Sequence, residues 1–341
     1  MTAELEPISP AQAKEMYLDA RKREVSESTL SGYHYRLKHF IRWCEEVENL
    51  DNMNNLTGRK LQQFKTWRRD DGDLKPITLE GNLDALRVFI RWCESIDAVQ
   101  PGLHEKFEAL MPSLDKNEER SDAILDAEKA DAVLTYLRQF EYASREHVTI
   151  ELLWHTGVRL GALHALDVDD YHDEHGRLEI RHRPETGTPL KNGKEGERMV
   201  ALSPDLCNLL DAWIEHQRPE ATDDHGREPL LTSAGGRRAR SNIRETVYKV
   251  TRPCYYTDEC PEGREIETCE GARYTGYSKC PVNESPHAIR RGSITHFLSE
   301  DVPEKVVSDR MNVEPDTLDK HYDKRSEEQK VEQRRSYLDE V

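Results

Sequence analysis

Apolar residues recur at helical spacing along most of the chain. From Ser9 to about Leu110 the pattern is helical, and it contains an echo of itself, because residues 40–45 return as residues 89–94. In each copy apolar residues fall at i, i+3, i+4 and i+7, so each predicted helix should bury one aromatic stripe. The two stripes are Phe40, Trp43, Cys44 and Val47, and Phe89, Trp92, Cys93 and Ile96. No third copy follows, which indicates two related helices and not a solenoid.

A stretch without apolar periodicity divides the chain. Residues 112–121 have no such pattern, so they predict a linker, which we place at residues 116–122. The N-terminal domain is then residues 1–115, and the second domain is residues 123–341. A chain of 341 residues is long enough for two domains, each with its own buried core.

The second domain mixes helices with a few strands. A helix is predicted near Asp126 and an apolar helix at about residues 148–154. Strands are predicted near residues 178–182 and 198–202, on either side of a turn rich in Gly, Lys and Asn. Beyond these strands the pattern is helical again, apart from an insert at residues 253–281. The predicted fold class is therefore mostly α with a small β-sheet (α+β).

Acidic residues dominate the charge of the chain. Asp and Glu number 66 against 49 Lys and Arg, which leaves a formal net charge of −17. Such a protein either avoids DNA or has a surface acidified to stay hydrated in concentrated salt. Acidic runs at residues 167–170 and 223–224 are spread along the chain and not collected in a tail, which favours a halophilic protein.

Membrane insertion and secretion are not expected. The sequence contains no run of about 18 apolar residues, and its first eleven residues include acidic ones where a signal peptide needs a basic start and an apolar run. We therefore expect a soluble, cytoplasmic protein with no membrane partner.

One segment reverses the overall charge. Between residues 237 and 252 six basic residues face a single acidic one, Glu245. A local reversal of this kind is typical of a surface that contacts DNA phosphates. The alternative is a basic face that pairs with an acidic face within the fold. In the N-terminal helices, exposed cations are equally well explained as a solvated face. The candidate DNA contacts are Arg237, Arg238, Arg240, Arg244, Arg42 and Lys65.

The seven cysteines fall into two groups. Three lie in apolar helical contexts, where a thiol usually behaves as a small buried apolar group; these are Cys44, Cys93 and Cys207. The other four lie in the insert: Cys254, Cys260, Cys269 and Cys280. Four thiolates can hold a structural zinc, but their spacing lacks the Cys-x-x-Cys knuckle of common zinc folds. Structural zinc, free or redox-active thiols, and disulfides all stay open.

The C-terminal half holds the groups needed to break a phosphodiester without a metal. This reaction requires a nucleophile, cationic donors to the phosphate oxygens, and an acid for the leaving 5′ oxygen. His287 and Arg290 lie at i and i+3 on a predicted helix that has Pro286 in its first turn, and Tyr322 follows about thirty residues later. A lone His-x-x-Arg pair is weak evidence, so the combination with the tyrosine carries the interpretation.

These residues resemble the second signature box of the tyrosine recombinase (integrase) family. Residues 156–163, Thr-Gly-Val-Arg-Leu-Gly-Ala-Leu, resemble the first box. The resemblance covers roughly residues 10–335, strongly in the two boxes and loosely before them. It implies an N-terminal SAM-like core-binding domain that clamps DNA, and a catalytic domain that needs no cofactor, metal or ATP. It also implies double-stranded DNA as partner and a tetramer on paired sites, linked by the tail at residues 323–341.

The resemblance also assigns roles to individual residues. Arg159 and Arg290 would grip the scissile phosphate while Tyr322 attacks it in line. Lys191 would protonate the leaving oxygen, with Lys194 as its rival because this turn is longer than is usual in the family. His287 would orient or exchange the proton, unless it is a buried structural histidine.

Three positions depart from the family pattern. Arg291 stands where many relatives have histidine, Ala162 where they have an acidic residue, and Val313 where they have His or Trp. The change to Val313 removes a phosphate donor, whose role could pass to Arg291 or His321. The implied function is site-specific recombination through a 3′-phosphotyrosyl intermediate. The alternatives are strand nicking and closing of the type IB topoisomerase kind, and a catalytically weakened DNA-binding relative.

Overall fold

The computed structural model describes residues 5–112 and 123–322, together with residues 327, 328, 331, 332 and 335. The chain splits into two compact units, residues 1–122 and 123–341. The predicted linker at residues 116–122 lies outside the described residues, and so does most of the tail beyond Tyr322.

The first unit is built from helices around an aromatic core. Ser9 begins the first helix with a capping box to Gln12. Ring centroids of Phe40 and Phe64 lie 5.3 Å apart, and those of Tyr17 and Phe89 lie 5.4 Å apart, both edge to face. The helices are α1 (Pro10–Arg21), α2 (Glu27–Trp43), α3 (Gly58–Gly72), α4 (Pro76–Ser95) and α5 (Leu103–Glu108).

The two echoed stripes behave as predicted except at their ends. Phe40, Trp43, Cys44, Phe89 and Cys93 are fully buried, whereas Trp92 and Ile96 are partly buried against the same core. The prediction for Val47 was wrong, because this residue is 49% exposed. The reason is that α2 passes into a π-helical turn at Cys44–Glu48, whose wider winding carries the i+7 position off the buried stripe.

The second unit combines helices with two small antiparallel sheets. Its helices are α6 (Ala127–Phe140), α7 (Arg145–Thr156), α8 (Leu160–Ala165), α9 (Pro204–Ala212), α10 (Arg240–Val250), α11 (Pro253–Tyr256), α12 (Pro286–Ser299), α13 (Glu304–Met311) and α14 (Pro315–His321). Its strands are β1 (Tyr171–His172), β2 (Arg177–Ile180), β3 (Arg198–Ala201), β4 (Thr232–Ser233) and β5 (Gly236–Arg237). One sheet has the order β1-β2-β3, and β4 pairs with β5.

The mostly helical fold class with a small sheet is confirmed. In the main sheet Leu178 lies opposite Val200, and both side chains are buried in the core of the unit. Both predicted strands are present, at slightly shorter bounds. Strand β1 and the hairpin of β4 and β5 were not anticipated, because each of these strands is two residues long and too short for a visible alternation.

Helix α7 runs through the centre of the second unit, and α6, α10 and α12 pack around it. A Cβ added to Gly292 of α12 would lie 1.8 Å from the carbonyl oxygen of Leu125, so only glycine permits this approach. Helices α12 to α14 enclose a separate apolar cluster that includes Met311, Val313 and Tyr322. None of the helices in the described ranges combines the length and apolarity of a membrane span.

Candidate active site

The first signature box lies at the end of α7 and the start of α8. Gly157 caps this helix in the left-handed region, with φ of 57°. A Cβ at this position would lie 2.6 Å from Sδ of Met311, so the end of α13 can sit here only against a glycine. Two residues later, Arg159 is the N-cap of α8 and is partly buried.

Arg290 joins three chain segments. It projects from α12, which begins with a Ser285 cap, and its side chain is almost fully buried. Its Nη1 donates to the carbonyl oxygens of Met311, at 2.9 Å, and of Gly157. Arg159 and Arg290, the arginine pair of this site, donate to the same carbonyl oxygen, that of Asn312. The distance is 3.1 Å from Arg159 Nη1 and 3.4 Å from Arg290 Nη2.

Tyr322 lies at the end of α14, beside the same helix that carries Arg290. Its main-chain nitrogen donates to Leu318 at 3.0 Å, and its carbonyl accepts from Thr295 Oγ1 of α12 at 2.9 Å. The phenol is buried beside the guanidinium of Arg290, where it offsets part of the lowering of the Arg290 pKa by burial and by Arg159. The fold therefore brings Arg159, Arg290 and Tyr322 together from three distant parts of the sequence.

Like charges are concentrated around this tyrosine. Burial, followed by Arg159, lowers the pKa of Arg290 to about 10. Burial, followed by Arg290 and Arg159, lowers the pKa of Arg198 to about 10 as well. Desolvation by neighbouring atoms and then Arg290 and Arg291 lower the pKa of His287, although this side chain is exposed and not a buried structural histidine. Cations whose pKa values are lowered by desolvation and by neighbouring positive charges would be stabilised by an anion such as a phosphodiester.

The loop between β2 and β3 reaches the site through Asn312. Asn192 Nδ2 donates to Asn312 Oδ1 at 2.8 Å, and Asn312 Nδ2 donates to the carbonyl of Glu195 at 3.1 Å. Lys191 and Lys194 are exposed and lie next to these two anchoring residues. The structure thus carries both candidate lysines on one loop, the lysine loop (residues 190–197), which is linked to Arg159 through Asn312.

The three departures from the family pattern have different surroundings. Val313 is buried in the apolar cluster of α12 to α14, so this side chain packs and does not line the site. Ala162 is buried in the main core of the unit, and Arg291 is largely buried on α12. The side chain of His321 lies outside the described residues.

Sequence reasoning missed three residues at this site. Arg198 donates from Nε to the carbonyl of Arg310 at 2.7 Å, and Arg310 donates to His155 and Ala201. Asn312 connects the arginine pair with the lysine loop. No sequence motif marks Arg198 or Arg310. Asn312 directly precedes Val313, which departs from the family pattern, and this position is the one sequence signal that points to it.

The basic segment at residues 237–252 is less exposed than its charge predicts. Arg237 is paired with Asp223 at 2.8 Å and with Asp167, so we correct its assignment from DNA contact to structural residue. Lys249 pairs with Glu146 at 3.0 Å.

Arg252 is buried and donates to the Gly271 carbonyl at 2.9 Å. Arg238 is partly buried and donates to Asn242 at 3.3 Å. Arg244 is exposed, and Arg240 lies beside Gly161 of the first box. Arg240 and Arg244 are therefore the cations of this segment best placed for a ligand.

The two candidates in the first unit have partners within that unit. Arg42 pairs with Asp71, and its guanidinium lies 4.9 Å from the ring centroid of Trp67. Lys65 Nζ donates to the carbonyl of Leu110 at 2.7 Å. Either side chain would have to exchange or share these partners to bind a phosphate.

The four cysteines of the insert line one small cavity of about 10 Å³. Burial raises the pKa of the Cys254 thiol, Arg252 lowers it, and the other three cysteines raise it further. Within the described residues no three His, Cys, Asp or Glu side chains are arranged as a metal-binding group. Of the remaining cysteines, Cys44 and Cys93 are buried as predicted, whereas Cys207 is partly exposed.

Comparisons with known proteins cover both units. Residues 123–328 match the phage integrase family, and residues 16–95 match the phage integrase N-terminal SAM-like domain. Tyrosine recombinase XerC of Mycobacterium tuberculosis is 26% identical over 172 residues, which cover 49% of this chain and 45% of that protein. Tyrosine recombinase XerD of Oceanobacillus iheyensis is 21% identical over 293 residues, or 85% of each chain. The chain thus spans about half the length of the XerC relatives it matches.

Solved structures share the fold. The Tn1549 transposon integrase in complex with transposon right end DNA has a TM-score of 0.69 at 13% identity, over 97% of this chain and 100% of the other. A lambda integrase dimer bound to a COC′ core site has a TM-score of 0.62 at 15% identity, over 94% and 97% of the two chains.

Proposed function

The chain belongs to the phage integrase family, and from this premise we propose that it is a site-specific DNA recombinase that cleaves and rejoins strands through a 3′-phosphotyrosyl intermediate. The observation that carries the proposal is the convergence of Arg159 and Arg290 on one point beside the buried phenol of Tyr322. Two guanidinium forks next to a hydroxyl nucleophile suit a phosphodiester, because the charge that develops on its oxygens meets fixed donors.

The chemistry can be assigned to residues of this chain. The phenol oxygen of Tyr322 attacks phosphorus, the bond to the 5′ oxygen breaks, and that oxygen takes a proton from Lys191 or Lys194. His287, whose pKa is lowered, is neutral near pH 7 and can accept the phenol proton. A 5′ hydroxyl of another strand then attacks the phosphotyrosine and restores Tyr322. The phosphotyrosyl bond conserves the energy of the broken phosphodiester, so no ATP is required, and the two arginines would supply the charge that a catalytic metal would otherwise supply.

Double-stranded DNA is the proposed partner, and assembly on it is proposed to be tetrameric. Arg238, Arg240 and Arg244 would contact phosphates from the second unit, and Arg42 and Lys65 from the first. The lambda integrase relative is a dimer on a core site, which supports self-association on DNA. We propose that the tail at residues 323–341 links protomers, and that the protein acts in the cytoplasm, where its DNA substrate is found.

Two other functions share this chemistry or this fold. A type IB topoisomerase activity would need only one strand to be nicked and closed, and an assay with Holliday junctions separates it from strand exchange. A catalytically weakened DNA-binding protein is suggested by Val313, which packs in the apolar cluster and offers no donor to the site.

Trapping the covalent intermediate tests the proposal. Genomic DNA fragments that the protein retains would be converted to nicked suicide duplexes, on which religation is impossible and the protein stays attached. We expect Tyr322→Phe to bind these duplexes but to form no adduct, because only the nucleophilic oxygen is lost. Tyr274→Phe is the matched control, since Tyr274 is 84% exposed in the insert. An adduct with Tyr322→Phe equal to that of the unaltered protein would refute the assignment.

We also propose that the four cysteines of the insert hold one structural zinc, although in the described residues their side chains are not arranged as a metal-binding group, so that binding would have to draw the thiols together. All four line a cavity about the size of one water or ion, and no strand and only short helical turns are described in residues 257–285. Metal ligation would supply the cross-links that such a segment lacks in core packing. Free thiols are the competing state.

The acidic composition supports a further proposal, namely that the protein is halophilic. With a net charge of −17, self-repulsion destabilises the compact state in dilute buffer, and salt screens it. The expected signature is a protein whose folding improves in molar KCl.

A further inference from the structure

The residue after α13 has an unusual backbone for one that retains a side chain. Asn312 has φ of 52° and ψ of 63°, in the left-handed region where glycine is the least strained choice. Asparagine tolerates this region better than most residues, and the same conformation occurs at Asn49, where φ is 52° and ψ is 43°. The backbone alone therefore does not require a carboxamide at position 312.

Every polar atom of the Asn312 side chain is engaged at the site. Oδ1 accepts from Arg159 Nη1 at 3.1 Å and from Asn192 Nδ2 at 2.8 Å. Nδ2 donates to the carbonyl of Glu195 at 3.1 Å. The carboxamide thus ties one phosphate-binding arginine to two points on the loop that carries Lys191 and Lys194.

The neighbouring position cannot perform this task. Val313 packs in the apolar cluster with Tyr322, so its side chain is directed into the core of α12 to α14. The hydrogen bonds between the α13 terminus and the lysine loop therefore come from Asn312, together with Arg198 through the carbonyl of Arg310.

We propose that Asn312 is a positioning residue for protonation of the leaving group. Its carboxamide holds the loop at residues 190–197 so that the lysine that donates the proton, Lys191 or Lys194, faces the 5′ oxygen of a phosphate bound by Arg159. The step is attack of the Tyr322 oxygen on phosphorus, departure of the 5′ oxygen, and transfer of one lysine proton to that oxygen. The inference rests on the proposed recombinase function and adds a residue to it.

The test removes the carboxamide and leaves the backbone unstrained. In Asn312→Gly the left-handed turn is retained and only the hydrogen bonds are lost, so DNA affinity and thermal stability should change little. We expect adduct formation on ordinary suicide duplexes to slow by about 100-fold, as misplacement of a reacting group by about 1 Å can do. Asn49→Gly makes the same change at the same backbone conformation in the first unit and should react like the unaltered protein.

A second substrate separates positioning of the acid from a general structural role. When sulfur replaces the bridging 5′ oxygen, the leaving group departs as a thiolate and needs no proton. On this substrate Asn312→Gly should react within about threefold of the unaltered protein, whereas Arg159→Ala should stay slow on both substrates. An equal loss for Asn312→Gly on both substrates, or no loss on either, would overturn the inference.

A variant of the exposed loop, Asn192→Ala, tests the same inference independently. If Asn312 acts through this loop, Asn192→Ala should show the same selective loss, and the double variant should lose less than the product of the two single losses. Multiplicative losses would contradict a shared mechanism. If the unaltered protein forms no adduct on either substrate, the proposed function fails, and that result is distinct from failure of the Asn312 inference.

Discussion

The close contact between Gly157 and Met311 allows a quantitative prediction. A Cβ added to Gly157 would lie 2.6 Å from Sδ and 2.9 Å from Cγ of Met311, at a backbone φ of 57°. The left-handed conformation costs alanine roughly 1–2 kcal/mol, and an extra carbon in a packed region costs roughly 1–3 kcal/mol. We therefore expect Gly157→Ala to lower the free energy of unfolding of the second unit by roughly 2–5 kcal/mol.

The effect should extend to catalysis. The carbonyl oxygens of Gly157 and Met311 accept from Arg290, so a displaced α13 would also displace this guanidinium. Adduct formation should fall under conditions in which the variant is still fully folded. Urea denaturation followed by circular dichroism, in a buffer of fixed high salt, gives the stability, and suicide duplexes give the activity.

Gly187→Ala is the matched control. Its φ is 76°, and no atom of the described residues lies within 4 Å of an added Cβ. It should cost roughly 1–2 kcal/mol from conformation alone. Equal stability for Gly157→Ala and Gly187→Ala would refute the packing argument.

Four further outcomes are expected. Arg159→Ala and Arg290→Ala should each slow cleavage about 100- to 1,000-fold while DNA is still bound, because one transition-state donor is lost; unaltered cleavage by either variant would contradict their role. Raising KCl from dilute to molar should raise the melting temperature and weaken DNA binding, whereas earlier melting in molar KCl would contradict a halophilic protein. Elemental analysis should find one zinc per chain, lost on Cys269→Ser but retained on Cys207→Ser; four freely alkylated insert thiols without metal would refute the site. Truncation after Ser326 should weaken assembly on paired sites more than binding to a single site in gel-shift assays, and equal assembly by the truncated protein would argue against a linking tail.

Local pattern was sufficient to predict most of the elements. The helical periodicity located the helix near Asp126, Pro286 fitted the first turn of α12, and the strand pattern on either side of a polar turn located β2 and β3. These signals are readable because a helix or strand that faces a core repeats its apolar residues at a fixed interval. Val47 failed because a π-helical turn changes that interval without a mark in the sequence.

The order and spacing of the signature residues identified the family and, with it, Arg159, Arg290 and Tyr322. What these residues do to one another was not readable, because their spacing in sequence says nothing of the distance between their side chains. The lowering of the pKa of Arg290 and of Arg198 depends first on burial and then on neighbouring cations that come from distant parts of the sequence.

By itself, then, the sequence determined the helical pattern, strands β2 and β3, the family and the residue types available for chemistry. Only the tertiary structure decided which charges are free and which residues meet. Arg237 counts as a cation in the sequence but is neutralised by Asp167 and Asp223 in the fold. Asn312 looks like a turn residue, but its carboxamide connects Arg159 to the lysine loop. Charge and hydrogen bonding act through space, and chain order specifies spatial neighbours only once the long-range contacts have formed.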